Sequence, residues 1–183
     1  MAGIGLDLDQ TLVHTHSSRV EGFDSFPISL GEESFFVHVR PHALDLLRFL
    51  AKSRLKLVIW TAGASGYARV VVGGLWRLMG MASTDGATIK SRDDATQIAP
   101  NVYIKEVAKM KRELGMSVFI LVDDDWRHVL CCPTNKGLVE HAPAFFVTGK
   151  EARHDLYLLR LRLKIHAVLT PSLFLEDTAR SSE

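Results

Sequence analysis

Cysteine is scarce. The 183 residues contain two, and they are neighbours, Cys131 and Cys132. Adjacent thiols cannot staple a framework, so the disulfide-built secreted class is excluded and a reducing compartment is favoured. No CxxC or Cys/His spacing suggests structural zinc. Charge of one sign is lacking as well: Lys plus Arg number 22, Asp plus Glu 21, for a formal net charge of +1. A chain this balanced has no global basic field, so direct nucleic-acid binding is not expected. No apolar run is long enough to span a bilayer, and no basic-then-apolar secretory pattern opens the chain. The apolar segment 156–169, LYLLRLRLKIHAVL, carries Arg160, Arg162 and Lys164 and reads as a helix packed on a core. Internal repeats and low-complexity stretches are absent.

The residues present suit an ordinary globular protein. With 47% hydrophobic and 23% charged residues, the chain can build a core without disulfides or a structural metal. The length fits one domain over 1–176, followed by a frayed tail over 177–183. Strand-like and helical patterns alternate. GIGLDL (3–8) reads as a strand, SFFVHV (34–39) as a second extended run, and HALDLLRFLAKS (42–53) as a helix. LKLVIWT (55–61) is a buried strand, and a helix weakened by Gly73 and Gly74 follows over 65–80. Residues 82–100 are polar and turn-rich and read as an inserted, substrate-facing segment containing a short strand, ATIKS. NVYIKEVAKMKRELG (101–115) reads as a helix closed by Gly115, and SVFILVD (117–123) as the clearest strand. APAFFV (142–147) reads as a last strand and 151–169 as a last helix.

This order argues for an α/β fold, a parallel sheet with helices on both faces. Ligands then bind at the carboxyl ends of the strands. Three strand ends carry polar residues: Asp7 after the first, Thr61 after LKLVIWT, and Asp123 with Asp124 after SVFILVD. Asp9, two residues beyond Asp7, points roughly the same way. Several carboxylates at one site repel unless a cation lies among them, and Mg²⁺ suits such hard oxygen ligands. Mg²⁺ among carboxylates commonly serves phosphate chemistry. One Asp could be a nucleophile and a second could move the proton, with Thr61 and Lys105 holding phosphoryl oxygens. The bland alternatives are ordinary ones. Asp residues after strands also cap helices and fill turns. Lys105, close to Lys109, Lys111 and Arg112, could be solvated. Cys131 and Cys132 lack the arginine that a cysteine phosphatase loop needs.

At this point a family resemblance appears. DLDQTLVH resembles the DxDxT signature of the haloacid dehalogenase (HAD) superfamily, in the form used by FCP/SCP phosphatases of the RNA polymerase II C-terminal domain. VRPHALDLLRFLAKSRLKLVIWTAGASGYARVV and NVYIKEVAKMKRELGMSVFILVDDDWRHV resemble the later motifs of that family, so the likeness covers about 3–147. It implies a HAD-like Rossmannoid fold with a minimal cap. It also implies Asp7 as nucleophile, Asp9 as general acid and base, Thr11 as the loop-supporting threonine, and Thr61 and Ala62 at the phosphate. Lys105 would neutralise the phosphoaspartate and pair with Asp123. Mg²⁺ would be held by Asp7, by Asp9 through its backbone carbonyl, and by Asp124, which stands where the family usually has Asn. Arg92 falls near a family arginine that faces the substrate. Gln10, Gly63, Asp125 and Trp126 depart from the family text; Trp60 and Trp126 flank motif residues and could line the pocket or belong to the core.

The implied activity is a Mg²⁺-dependent phosphatase acting on phosphoserine or phosphothreonine in a phosphorylated protein or peptide, such as the polymerase tail. Residues between the first two motifs read as one strand and one helix, leaving little room for a lid, which favours a large substrate. Two alternatives stay open: a phosphatase of a small metabolite or nucleic-acid end, and a non-catalytic binding module. The expected setting is intracellular, nuclear or cytoplasmic, including a viral protein inside a host cell.

Overall fold

The computed structural model describes residues 1–84, 86–125, 127, 129–130 and 139–169. The expectations for Trp126, for Cys131 and Cys132, and for the tail 177–183 lie outside these residues.

In chain order the first half holds β1 (Ala2–Leu6), β2 (Val13–His16), β3 (Ser25–Leu30), β4 (Glu33–Val39), α1 (Ala43–Ala51), β5 (Lys56–Trp60) and α2 (Ser65–Leu78). The second half holds β6 (Ala87–Lys90), β7 (Thr96–Ala99), β8 (Val102–Glu106), α3 (Val107–Glu113), β9 (Val118–Asp123), β10 (Val129–Leu130), β11 (Val139–His141) and α4 (Tyr157–Leu169). Five strands form one parallel sheet in the order β11–β9–β1–β5–β6. The chain runs outward from β1 through β5 to β6, then returns to β9 on the other side of β1. The order therefore reverses at β1, where a parallel sheet opens a crevice at its carboxyl edge.

Alternation along β1 explains the opening residues. Ile4 and Leu6 point into the main core with Leu46, Leu47 and Leu50 of α1, Val71 and Leu75 of α2, and Leu158 and Leu161 of α4. The other face of β1 carries Gly3 and Gly5. A Cβ on Gly5 would lie 2.6 Å from the Phe119 ring, and one on Gly3 would overlap the Met116 sulfur. That face is covered by a second cluster: Val58, Trp60, Phe119 and Leu121 from the sheet with Val107 and Met110 of α3. Trp60 is core, not pocket lining.

Several elements differ from the expected ones. Lys105 lies on a strand, β8, directly before α3. Asn101, at φ 60°, turns β7 back into β8, and Val102, Tyr103 and Ile104 are strand formers. Segment 82–100 is divided: β6 pairs in parallel with β5 and completes the main sheet, and only the residues after it lead into the β7–β8 hairpin. Residues 142–147 are not a strand. Among the described residues the last strand is β11, just before them, and Pro143 lacks the N–H that a ladder would need. The final helix begins at Tyr157, after a 3₁₀ turn over Ala152–His154. Between the first two motifs lie three strands, β2–β4–β3, which form an antiparallel sheet. Val13, Phe26, Ile28, Val37 and Val39 from this sheet join the main core.

The two helical glycines in α2 are not equivalent. A Cβ on Gly74 would collide with the Phe26 ring, whereas one on Gly73 meets nothing within 4 Å. Gly74 thus lets α2 approach β3. Gly74→Ala should destabilise by about 1–3 kcal/mol through overpacking. Gly73→Ala should stabilise by about 0.5–1 kcal/mol through helix propensity. Urea denaturation of both variants checks this, and equal effects would refute it.

Candidate active site

Adjacency of β9, β1 and β5 brings the three polar strand ends together. The Asp7 N–H continues the ladder to the Val122 carbonyl at 2.9 Å. Gln10, at φ 58°, then turns the chain so that Leu12 and Val13 both donate to the Leu8 carbonyl. A cavity of about 450 Å³ opens over these ends. Asp7, Asp9, Thr61, Ala62, Gly63, Lys105, Asp123 and Asp124 line its inner part. Gln10, Asp125, Arg127, Ala144 and Phe146 complete the wall.

Lys105 is the centre of the floor. Its Nζ donates to Asp7 Oδ1 at 2.5 Å and to Asp123 Oδ2 at 2.8 Å, and all three side chains are almost fully buried. Burial alone would lower the lysine pKa, but the charges of Asp7 and Asp123 outweigh it and hold Lys105 above its usual value. One cation serves two buried acids, so it cannot neutralise both as carboxylates. Burial, with Asp123 and Asp9 nearby, pushes the Asp7 carboxyl up to about 8 despite Lys105. Asp124 is also raised, by burial and then by Asp123. The Asp123 Oδ1 atom accepts from the Asp125 N–H at 2.9 Å, which occupies its second oxygen.

Asp9 is held separately. Thr61 Oγ1 donates to its Oδ2 at 3.2 Å, and Tyr67 Oη donates to its Oδ1 in a short hydrogen bond. Tyr67 also shares a 3.0 Å hydrogen bond with Thr15. Burial and the Asp9 charge keep the phenol far above its ordinary pKa, so it stays a donor. Sequence reasoning does not single out Tyr67. The available signal is its place in the first turn of α2, directly after the Thr61 strand end, where a polar side chain faces the crevice.

The other expected site residues divide. Thr11 is fully buried and does not line the cavity; its hydroxyl donates to Asp124 Oδ1 at 3.2 Å. It orients an acid and does not face a substrate in this structure. Thr61 Oγ1, besides reaching Asp9, accepts from the Gly63 N–H at 2.9 Å. Arg92 is not among the lining residues. Its Nε donates to the Ala62 carbonyl at 2.9 Å and its guanidinium stacks on Tyr103 at 5.1 Å. It braces the Thr61–Gly63 wall from behind.

The acids fit a hard divalent cation. Carboxylate oxygens of Asp7, Asp123 and Asp124 lie within 4.8 Å of one another. Their crowding adds to burial in raising Asp7 and Asp124, and a cation would relieve it. A larger cavity, about 810 Å³, is lined by Arg40, Asp45, Arg48 and Arg153. Arg48 pairs there with Asp45 at 3.1 Å, and no crowded acids or buried lysine face it.

A family model described as NLI interacting factor-like phosphatase matches residues 4–166. The chain belongs to that family. A human phosphatase of the RNA polymerase II C-terminal domain is 35% identical over 73 residues, which is 37% of this chain and 8% of that protein. Two solved structures share the fold. Fission yeast RNA polymerase II CTD phosphatase Fcp1 bound to beryllium fluoride gives a TM-score of 0.50 at 16% identity, covering 97% of this chain and 56% of that one. A structure of Fcp1 described as an essential RNA polymerase II CTD phosphatase gives 0.51 at 17% identity, covering 100% and 54%. The chain therefore spans about half of those solved chains and a small part of the human protein. At such identity the solved structures support the HAD-like fold, with its central parallel sheet flanked by helices. Among the described residues no helix is long and apolar enough to cross a membrane.

Proposed function

We propose that this member of the NLI interacting factor-like phosphatase family is a Mg²⁺-dependent phosphatase that works through a phosphoaspartate on Asp7. Its substrate class is phosphoserine or phosphothreonine in a protein, such as the RNA polymerase II C-terminal domain. The observation that carries the reading is Lys105 braced between Asp7 and Asp123 on the cavity floor, with Asp9 held apart by Thr61 and Tyr67. Such an arrangement divides the labour between two acids, one for phosphorus and one for the proton.

Asp7 Oδ1 is taken by Lys105, so Oδ2 is the oxygen that attacks phosphorus. Attack needs Asp7 as a carboxylate, so the proton that burial keeps on it in the metal-free site leaves first. Asp9, entering the step protonated, gives its proton to the departing oxygen as the P–O bond to the serine or threonine breaks. The phosphoryl group now sits on Asp7. Asp9, as carboxylate, takes a proton from water while the water oxygen bonds to phosphorus. The bond between Asp7 and phosphorus breaks, its electron pair returns to the carboxylate, and inorganic phosphate leaves. Lys105 offsets the charge on Asp7 throughout. Asp7, Asp124 and the backbone carbonyl of Asp9 would hold Mg²⁺, with Asp123 beside them. When bound, the ion would draw charge from the phosphoryl oxygens and hold them against the acids.

An aryl phosphate and a phosphopeptide panel, each assayed with Mg²⁺ and with chelator, test the reading. Hydrolysis should require the metal and include phosphoserine or phosphothreonine peptides. Hydrolysis that persists in chelator and stops on thiol alkylation would refute it. Activity confined to small metabolites would refute the substrate class. Tyr67→Phe removes one of the two donors to Asp9. Its kcat should fall about 10–100-fold with little change in KM, the worth of one hydrogen bond to a charged group. An unchanged kcat would show that Thr61 alone orients Asp9.

A further inference from the structure

The cavity wall holds five acids, Asp7, Asp9, Asp123, Asp124 and Asp125, and two cations, Lys105 and Arg127. Lys105 is buried on the floor and committed to Asp7 and Asp123. Arg127 stands at the other extreme, with a side chain 73% exposed. Asp125 grips it as a fork: Nε to Oδ1 at 2.7 Å and Nη2 to Oδ2 at 2.9 Å. The Arg127 backbone N–H adds a third bond to Oδ1 at 3.2 Å. A guanidinium has five N–H donors, and this fork uses two. The other three have no partner among the described residues. An exposed pair of this kind adds little stability, so stability does not account for it. What the fork does is fix the plane of the guanidinium while leaving one edge unpaired among the described residues, which reduces the ordering cost of gripping an anion.

A phosphoryl group bound for Asp7 must descend to the floor. Whatever lies near Arg127 is a different part of the substrate, still at the mouth. The mouth also offers Ala144 and the half-exposed ring of Phe146, set edge-on to His14 at 5.5 Å. These supply apolar surface and no charge. Resting on the phosphatase reading of the floor, we propose that Arg127 recognises a second anionic group on the substrate, close along the chain to the scissile phosphate. That group is a carboxylate or a second phosphate. The Arg127 fork then prefers phosphopeptides with an acidic flank over those with a neutral one, and it offsets the repulsion that five wall acids impose on such a ligand.

Binding of non-hydrolysable phosphonate peptides to the full chain with Mg²⁺ tests this without turnover. Three peptides share one sequence and differ at the flanking position: neutral, carboxylate, or second phosphate. The wild type should bind an acidic arm about tenfold tighter than the neutral arm, equivalent to about 1.4 kcal/mol. High salt should shrink the difference. Arg127→Gln should bring the ratio to about one, Arg127→Glu should push it below one, and Arg127→Lys should keep part of it. The arm that gains more identifies the anion. Equal binding of all arms by the wild type, a preference that survives Arg127→Gln, or an equal loss on every arm would overturn the proposal. A protein that shows the Arg127-dependent preference but never hydrolyses a phosphomonoester would keep this inference and sink the proposed activity.

Discussion

Asp7→Asn should abolish turnover, by on the order of 10⁴-fold or more, and leave the fold intact. The oxygen proposed to attack phosphorus is lost to an amide. Asp123 and Asp9 already have both oxygens engaged, Asp123 by Lys105 and the Asp125 N–H and Asp9 by Thr61 and Tyr67, while Asp124 is the proposed metal ligand. Beryllium fluoride, a mimic of a phosphoryl group on carboxylate, should form an adduct with wild-type protein and Mg²⁺ but not with the variant. An adduct that persists in Asp7→Asn would place the nucleophile elsewhere. The same substitution should change the pH dependence of stability. The folded protein holds the Asp7 proton up to about pH 8, whereas the unfolded chain releases it near the ordinary value of 3.8. Between those values the folded state binds more protons, so the stability of metal-free protein falls as pH rises and levels off above about 8. Asp7→Asn should flatten that slope, leaving the smaller contribution of Asp124, which is shifted the same way. Mg²⁺ competes with the Asp7 proton, so its stabilising effect should grow as pH rises through the window. Thermal melts in chelator and in Mg²⁺ across pH 5–9 measure both effects. An identical slope in the variant would assign the titration to other groups.

Much of this site is legible because it sits at strand ends. The runs GIGLDL, LKLVIWT and SVFILVD are dense in apolar and β-branched residues, and the parallel arrangement obliges their carboxyl ends to meet. Lys105 stands out as a site residue, but the element that carries it does not. The amphipathic residues of α3 extend its helical pattern backward over NVYIK, whereas the chain turns at Asn101 into a strand that pairs with β7 and becomes helical only after Glu106. The β2–β4–β3 sheet reads as a single strand for a related reason. β2 is mostly polar, and although Phe26, Ile28 and Leu30 alternate with Ser25, Pro27 and Ser29 along β3, the proline inside that run argues against a strand. The hydrogen bond from Tyr67 to Asp9 joins α2 to the loop after β1, and no local pattern encodes a contact between elements so far apart in the chain. Thr11 shows the converse limit. A signature threonine can be recognised, but whether it touches a ligand or a neighbouring acid is decided by packing.

Lys105→Met should be the most damaging single change to stability and activity together. The lysine side chain is 3% exposed and lies between Asp7 Oδ1 and Asp123 Oδ2. Methionine fills much of the volume but leaves two buried carboxylates without their cation. Breaking a buried pair in this way costs about 3–5 kcal/mol. The penalty has a sign in pH. Once the cation is gone, the buried acids favour the protonated form, so the variant should be weakest in alkaline buffer and recover as pH falls toward 5. Turnover should drop by about 10²–10³-fold even under conditions where the variant is folded, because nothing then offsets charge on the phosphoryl group at Asp7. Adding Asp123→Asn removes one of the stranded acids. The double variant should regain much of the lost stability and none of the turnover, a coupling that a double-mutant cycle measures directly. Stability and catalysis recovering together would mean that Lys105 serves only to hold the floor in shape. A single variant as stable as wild type at pH 8 would mean that water or another cation already solvates Asp7 and Asp123, and that the floor is not the closed charge cluster described by these distances.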